Sequence, residues 1–518
     1  MIRALPPPGK LAVLTMLHAF IDGLYVVFQW QTFLVMLLGI FLGFWVGLLP
    51  GLGGTTTLAL MLPFIYQMTP VEAFAFLLGM HSVVSTTGDI TSVLFGIPGE
   101  GTTAATILDG HAMAKKGEAG RALGAALMSS LIGALIGAFA LALAIPVVRP
   151  LVLSFGAPEL FMLAIVGIAF ISSLSGQGGR ALLRGILAGL LGLLFALVGQ
   201  DPQAGVLRFT FGQLYLWNGL DLIPVLVGVF AIPEIIDLAV RGTSIAGELP
   251  GENLGRGVWV GVKDTFVHFW LTVRCSLVGT FIGIMPGLGG GVAQWIAYGH
   301  AVQSARTSEE RTGFGKGDIR GVLGPGAANN SKEGGSLIPT IAFGVPGSSS
   351  MAVLLGAFFL QGIMPGPDML DKYLVLTFSM VWTMVVANII TVVVSLFFLN
   401  YLAKLTLIRG TVLIPFILFL AFIGAYTSNN HLGDLLVLLA FGFLGYVMIR
   451  CGWPRSPLVL GFVLGRIAEN NFYISTIRYG PSWALRPLVL VLIALTVIVL
   501  FFPFIRFKGR ELTGGDVS

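Results

Sequence analysis

Two short stretches of this chain put glycine and proline where an unbroken apolar helix would exclude them. Residues 47–54 read GLLPGLGG and residues 283–290 read GIMPGLGG, with six of eight letters identical. The copies lie 236 residues apart. Pro50 and Pro286 each remove a backbone donor and block a helical hydrogen bond. The flanking glycines let the chain turn without steric cost. In hydrocarbon, such a break survives only when buried in protein or lining a wet cavity. Its freed carbonyls suit a cation, and the start of the next helix offers N–H groups to an anion.

A second duplicated motif accompanies the first: FGIPG at 95–99 and FGVPG at 343–347. Together they define the expected substrate-binding turns. The first copy supplies Gly51, Gly53, Gly54, Thr55 and Thr56, then Pro98, Gly99 and Thr102. The second supplies Gly287, Gly289 and Gly290, then Pro346, Gly347, Ser348 and Ser349. The stretch AANNSKEGGS adds Asn329 and Asn330, whose amides suit carboxylates and Na⁺ alike. Asp89, an acid inside an interrupted apolar segment, joins Ser331 and Ser350 as ion-coupling candidates. Na⁺ or H⁺ is the expected coupling ion, with no cofactor, no other metal and no catalytic residue.

Plainer readings stand beside these. A single PGLGG is also a helix-packing turn, and duplication beside a second duplicated motif favours binding. Ser and Thr after Gly also cap helices. Asp89 equally fits a helix cap near an interface. His81 and His111 have no recurrent spacing and read as structural, Arg274 as snorkelling, and Glu234 and Asp237 as interfacial.

The elements that hold these turns are membrane helices. The 518 residues are 56% hydrophobic and 10% charged, against about 25% charge in soluble chains, and mean hydropathy is +0.93. The fold class is therefore all-α integral membrane. Spans of about 20 apolar residues are expected near 33–49, 122–147, 157–176, 180–199, 218–240, 268–285, 373–399, 411–427, 432–449, 457–474 and 483–504. Four interrupted segments, 55–68, 72–98, 290–304 and 336–363, read as re-entrant or broken helices, for 11 or 12 full spans. The longest hydrophilic stretch is 305–335.

The motif offsets divide the chain into a first half (1–240), a linker (241–264), a second half (265–475) and a terminal helix with a basic tail (476–518). Two-fold repeats with broken helices are a transporter signature, and the span count between copies favours an inverted repeat over a parallel one. Arg506, Lys508 and Arg510 place the C-terminus in the cytoplasm. The net charge of +5 sits in loops and tail, so no basic domain exists for nucleic acid. Cys275 and Cys451 fit neither a disulfide framework nor a zinc site. The segment MIRALPPPGKLAVLTMLHAFIDG reads as a retained interfacial helix.

Over nearly its whole length the sequence resembles the large membrane subunit of the tripartite tricarboxylate transporter family, the TctA type. The resemblance rests on GLLPGLGGTTTLALMLPF, TSVLFGIPGEGTTAATILDGHAMAKKGEAGRALG, GIMPGLGG and GPGAANNSKEGGSLIPTIAFGVPGSSSMAVLLGAFFLQGIMPGP. One departure is HSVVSTTGDITS at 81–92, with Asp89 where the family has Gly. The resemblance implies symport of a carboxylate across the bacterial inner membrane, driven by Na⁺ or H⁺ without ATP. It implies as partners a small four-helix membrane subunit and a periplasmic solute-binding protein, and it leaves homo-oligomers open. No Walker motif is present, in agreement. The competing classes are an intramembrane hydrolase, which lacks a convincing nucleophile–base pair, and a channel, which needs no delivered substrate.

Overall fold

The computed structural model describes residues 8–48, 53–100, 102–173, 179–201, 203–241, 255–285, 289–405 and 410–511. Among these the chain is almost entirely helical. The first part runs α1 (Pro8–Val27), α2 (Trp30–Gly47), α3 (Gly54–Met61), α4 (Pro70–Phe95), α5 (Thr106–Lys115) and α6 (Ala119–Val152). Then come α7 (Ala157–Ser173), α8 (Gly179–Ala196), α9 (Leu222–Arg241) and α10 (Gly255–Val267). The second part runs α11 (Phe269–Ile284), α12 (Gly289–Gln303), α13 (Ser308–Gly313), α14 (Arg320–Phe343), α15 (Ser349–Leu360) and α16 (Leu374–Leu405). It closes with α17 (Gly410–Asn429), α18 (Leu432–Arg450), α19 (Arg455–Tyr479) and α20 (Pro487–Glu511). The described strands are a two-residue antiparallel pair, Gly199–Gln200 with Leu207–Arg208, in the α8–α9 connection.

Five described helices are long and apolar enough to cross a bilayer, and seven if each of two sharply bent pairs forms one span. Five shorter apolar helices, including those in α3, α7, α15 and α17, add to these. The chain is thus a multi-pass helical membrane protein. Among the described residues, the helices that meet this length and composition are fewer than the 11 or 12 spans expected, several apolar helices being short or bent. The hydrophilic stretch 305–335 also differs from expectation. From Arg320 it is helix α14, and every residue from Gly321 to Ala342 is buried. The stretch read as a linker contains the start of α10, which packs on α6.

Local chemistry explains the stops. Thr69 and Glu72 form a reciprocal capping box at the start of α4, with Pro70 in the first turn. α4 ends at Gly96 and α14 at Gly344, the first glycines of the two FG[I/V]PG copies, and both take φ +66°. A side chain there would be strained, so the duplicated motif is a duplicated helix stop.

Packing runs in matched pairs. α1 packs on α16, and α10 on α6. α2 packs along α4, and α11 along α14. α9 packs on α17 and α18, while α19 packs on α7 and α8. The two helices stopped by the duplicated motif, α4 and α14, are enclosed by their neighbours, and α4 is buried throughout from Ala73 to Leu94. Where α14 crosses α6, backbones nearly touch: a Cβ built on Gly137 would lie 2.5 Å from the Ser331 carbonyl oxygen. Gly137→Val therefore should destabilise the fold by about 1–3 kcal/mol. Thermal unfolding of the purified protein in detergent, compared with wild type, checks this.

Candidate functional site at the helix breaks

The site begins where α3 starts. Gly53 is extended, at φ −67° and ψ 167°, and precedes the first helical residue, Gly54. The Gly54 N–H donates to Glu100 Oε1 at 2.9 Å. The Thr102 hydroxyl donates to Glu100 Oε2 at 3.0 Å. A carboxylate therefore occupies the positive end of α3, where unpaired N–H groups favour an anion.

The loop after α4 holds Glu100 by its own backbone. The Glu100 carbonyl accepts from the Thr103 N–H at 2.9 Å and from the Thr103 hydroxyl at 3.0 Å. Ser92 donates to the same hydroxyl at 2.7 Å. Gly99 folds back on α4 so closely that a Cβ on it would lie 2.6 Å from the Gly88 Cα. In the second copy, a Cβ on Gly347 would lie 2.6 Å from the Ser336 Cα and 2.7 Å from the Gly283 carbonyl oxygen. Both tips thus dip back beside the helices they follow.

Behind Gly54 lies a buried charge cluster. A Cβ on Gly54 would meet His81 Nδ1 at 2.7 Å and Glu100 Oε1 at 2.8 Å, so both side chains crowd one point that only glycine leaves open. His81 Nε2 lies 3.3 Å from Glu333 Oε2, and Glu333 also pairs with Lys332. His81, Lys332 and Glu333 are 2%, 3% and 5% exposed. Asp89, one residue from the Gly88 that abuts Glu100, is 1% exposed and faces Thr106. The centre therefore holds three carboxylates against one lysine and one histidine.

The expected residues divide into those that meet here and those that do not. Gly53, Gly54, Gly99 and Thr102 build the Glu100 seat. The Thr55 and Ser350 hydroxyls meet at 2.9 Å, joining α3 to α15. Ser348 caps α15 by accepting from the Met351 N–H at 3.3 Å, and the Ser349 and Ser456 hydroxyls meet at 2.7 Å. Pro346 is buried in the second tip, Pro98 is exposed, and Thr56 is buried within α3. Gly289 and Gly290 open α12, which packs on α11 and α14. Gly51 and Gly287 lie outside the described residues.

The amide nitrogens of Asn329 and Asn330 hold helices together, while their Oδ1 atoms are buried with no hydrogen-bond partner among the described residues. The Asn329 amide donates to the Ser85 carbonyl at 2.7 Å. The Asn330 amide donates to the Thr86 hydroxyl at 2.7 Å and to Asn388 Oδ1 at 2.8 Å. These bonds tie α14 to α4 and α16. Ser331 faces α6 and α11, because Cβ atoms built on Gly137 and Gly279 would both run into it.

Sequence reasoning passed over Glu100, Lys332 and Glu333, and took His81 as structural. The signal was present: charged residues inside GIPGEGTT and NNSKEGG, motifs already singled out. Among the described residues no cluster of three His, Cys, Asp or Glu side chains suits a metal ion.

A cavity of about 720 Å³ lies apart from this cluster, against the α8–α9 connection, the α17–α18 turn and the middle of α19. Tyr215, Asp221, His431 and Arg466 line it, together with Leu360 at the far end of α15. Arg466 donates to the Asn218 carbonyl at 2.6 Å and pairs with no carboxylate among the described residues. α15 thus runs from the helix breaks to this cavity.

The sequence profile of the Tripartite tricarboxylate transporter TctA family matches residues 33–460. The chain is 34% identical over 481 residues to an uncharacterized 52.8 kDa protein in the TAR-I ttuC' 3' region of Agrobacterium vitis, covering 92% of this chain and 94% of that one. It is 35% identical over 240 residues to an uncharacterized protein in the TAR-II ttuC' 3' region of the same organism, covering 45% of this chain and 98% of that one. No solved structure matches.

Removing one member of a buried ion pair strands the other charge, at a cost of about 3–5 kcal/mol. Lys332→Met should lose stability on that scale, and Lys332→Met with Glu333→Met together should lose less. Chemical or thermal unfolding of the three proteins in lipid nanodiscs measures the difference.

Proposed function

The chain belongs to the tripartite tricarboxylate transporter TctA family, and from that premise we propose that it is the large membrane subunit of a secondary importer of carboxylates. In this reading a periplasmic binding protein delivers the solute, a small four-helix membrane subunit completes the complex in the bacterial inner membrane, and a Na⁺ or H⁺ gradient drives uptake without ATP. One observation carries the carboxylate assignment: Glu100 already places a carboxylate on the Gly54 N–H and the Thr102 hydroxyl. A seat that holds this group holds the same group on a solute.

The division into two related halves supports alternating access. Each half carries one PGLGG break and one glycine-stopped helix, and the hydroxyl bond of α3 with α15 is echoed by the Tyr298 to Asp109 bond of α12 with α5, at 3.0 Å. We take the halves as inverted repeats. With the C-terminus cytoplasmic, the turn holding Asn429 and His431 faces outward. The cavity with Arg466 is then the vestibule that receives the delivered anion, and α15 leads from it to the breaks.

Reconstituting the chain with its two partners and measuring uptake of labelled citrate, succinate and benzoate under separate Na⁺ and H⁺ gradients tests the reading. Saturable uptake that needs the binding protein and one gradient is the expected result; gradient-insensitive flux overturns it. Gly54→Leu fills the point shared by His81 and Glu100, and uptake should fall about 10²-fold while membrane insertion persists.

A further inference from the structure

Glu100 sits in the position that the substrate carboxylate needs. α3 is short, at eight residues, and its start alone would not define a site. The second mark is His81, which is 2% exposed and directs an Nδ1 without any hydrogen-bond partner among the described residues at the same Gly54. Glu100 itself is only partly buried, so a proton can reach it.

Two carboxylates cannot share these donors while both are charged. At about 4 Å in a partly buried setting, their repulsion lowers occupancy on the order of a thousandfold, and paired carboxylates relieve it by holding one proton between them. The surroundings give no other relief. α4 brings His81 and Asp89, and α14 brings Lys332 and Glu333, whose charges already answer each other. α3 and α15 bring only the hydroxyls of Thr55, Thr56, Thr57, Ser348, Ser349 and Ser350. On α5, His111 Nδ1 lies 3.1 Å from the Val93 carbonyl oxygen. Asp109, also on α5, accepts from the Gly317 and Asp318 N–H groups and from Tyr298.

We propose that Glu100 is the resident occupant of the carboxylate seat, and that a solute carboxylate displaces it only as Glu100 takes up a proton. The proposal rests on the carboxylate reading above and names its coupling ion. One O–H bond forms at Glu100 on the side where solute enters and breaks on the side where solute leaves. The deprotonated carboxylate then returns to the Gly54 N–H and expels the solute. The ion is a proton rather than Na⁺ because each Glu100 oxygen faces a donor, Gly54 N–H on one side and Thr102 O–H on the other. A metal ion would need further oxygen ligands there. His81 Nδ1, crowded against the same point, is the group placed to exchange that proton.

The test uses the complete three-component complex and whichever of citrate, succinate and benzoate it takes up. Binding of that acid in weak buffer at pH 7.5 should draw about one proton per molecule beyond what the acid itself exchanges, read with a pH indicator. Apparent affinity should fall up to about tenfold per pH unit as pH rises. Glu100→Gln, neutral at every pH, should bind with an affinity independent of pH and should no longer concentrate the acid on a pH gradient. No proton uptake by the wild-type complex overturns the proposal even if the variant fails to fold. An unchanged pH profile in Glu100→Gln overturns it as well, as does proton-free binding that requires Na⁺. Uptake of none of the acids overturns the carboxylate reading and this proposal together; uptake without proton uptake leaves the carboxylate reading standing and removes this one.

Discussion

A helix that starts inside a membrane leaves N–H groups with no water to satisfy them, and the fate of those groups governs this molecule. At α3 the Gly54 N–H is answered by the Glu100 carboxylate. That answer requires a loop able to bring Glu100 back against α4, which requires Gly99 to lie on Gly88 with no side chain between them. The loop starts where it does because α4 ends on a glycine at φ +66°. One unsatisfied backbone group thus accounts for a run of motif residues whose spacing is otherwise unexplained.

The same constraint explains why α4 and α14 are polar yet wholly enclosed. Their side chains answer each other: Asn329 to the Ser85 carbonyl, Asn330 to Thr86, and Glu333 to His81. Such partners favour a buried polar network, although His81 Nδ1 and the Oδ1 atoms of Asn329 and Asn330 have none among the described residues. Glycines let the surrounding helices come close enough to exclude lipid from this core. Charge that would be intolerable against hydrocarbon is held away from it by a layer of apolar helices.

The class of fold, the two pairs of breaks and the family were legible in the sequence because they rest on composition and on repeated letters. The helix stops at Gly96 and Gly344 were legible for the same reason. What escaped was partnership. Lys332 and Glu333 read as part of a hydrophilic stretch, since one-dimensional hydropathy does not distinguish a helix wet on its surface from one enclosed by neighbours. Glu100 escaped because its importance lies in a bond to a residue 46 positions away. Asn329 and Asn330 were read as ligand-facing because amides suit ligands, and the same chemistry lets their amide nitrogens bond across the seam between helices while their Oδ1 atoms have no partner among the described residues. His81 has no repeated counterpart, so a search built on repetition passed it by.

The polar contacts of α15 with α3 and α19 are bonds between neutral hydroxyls: Thr55 with Ser350, and Ser349 with Ser456. Each hydroxyl both donates and accepts, so water replaces either partner at little cost. Separation of α15 from α3 or α19 therefore strands no charge and leaves no orphaned donor. The two hydroxyl pairs fix where α15 sits against α3 and α19, yet each is a bond that water can replace.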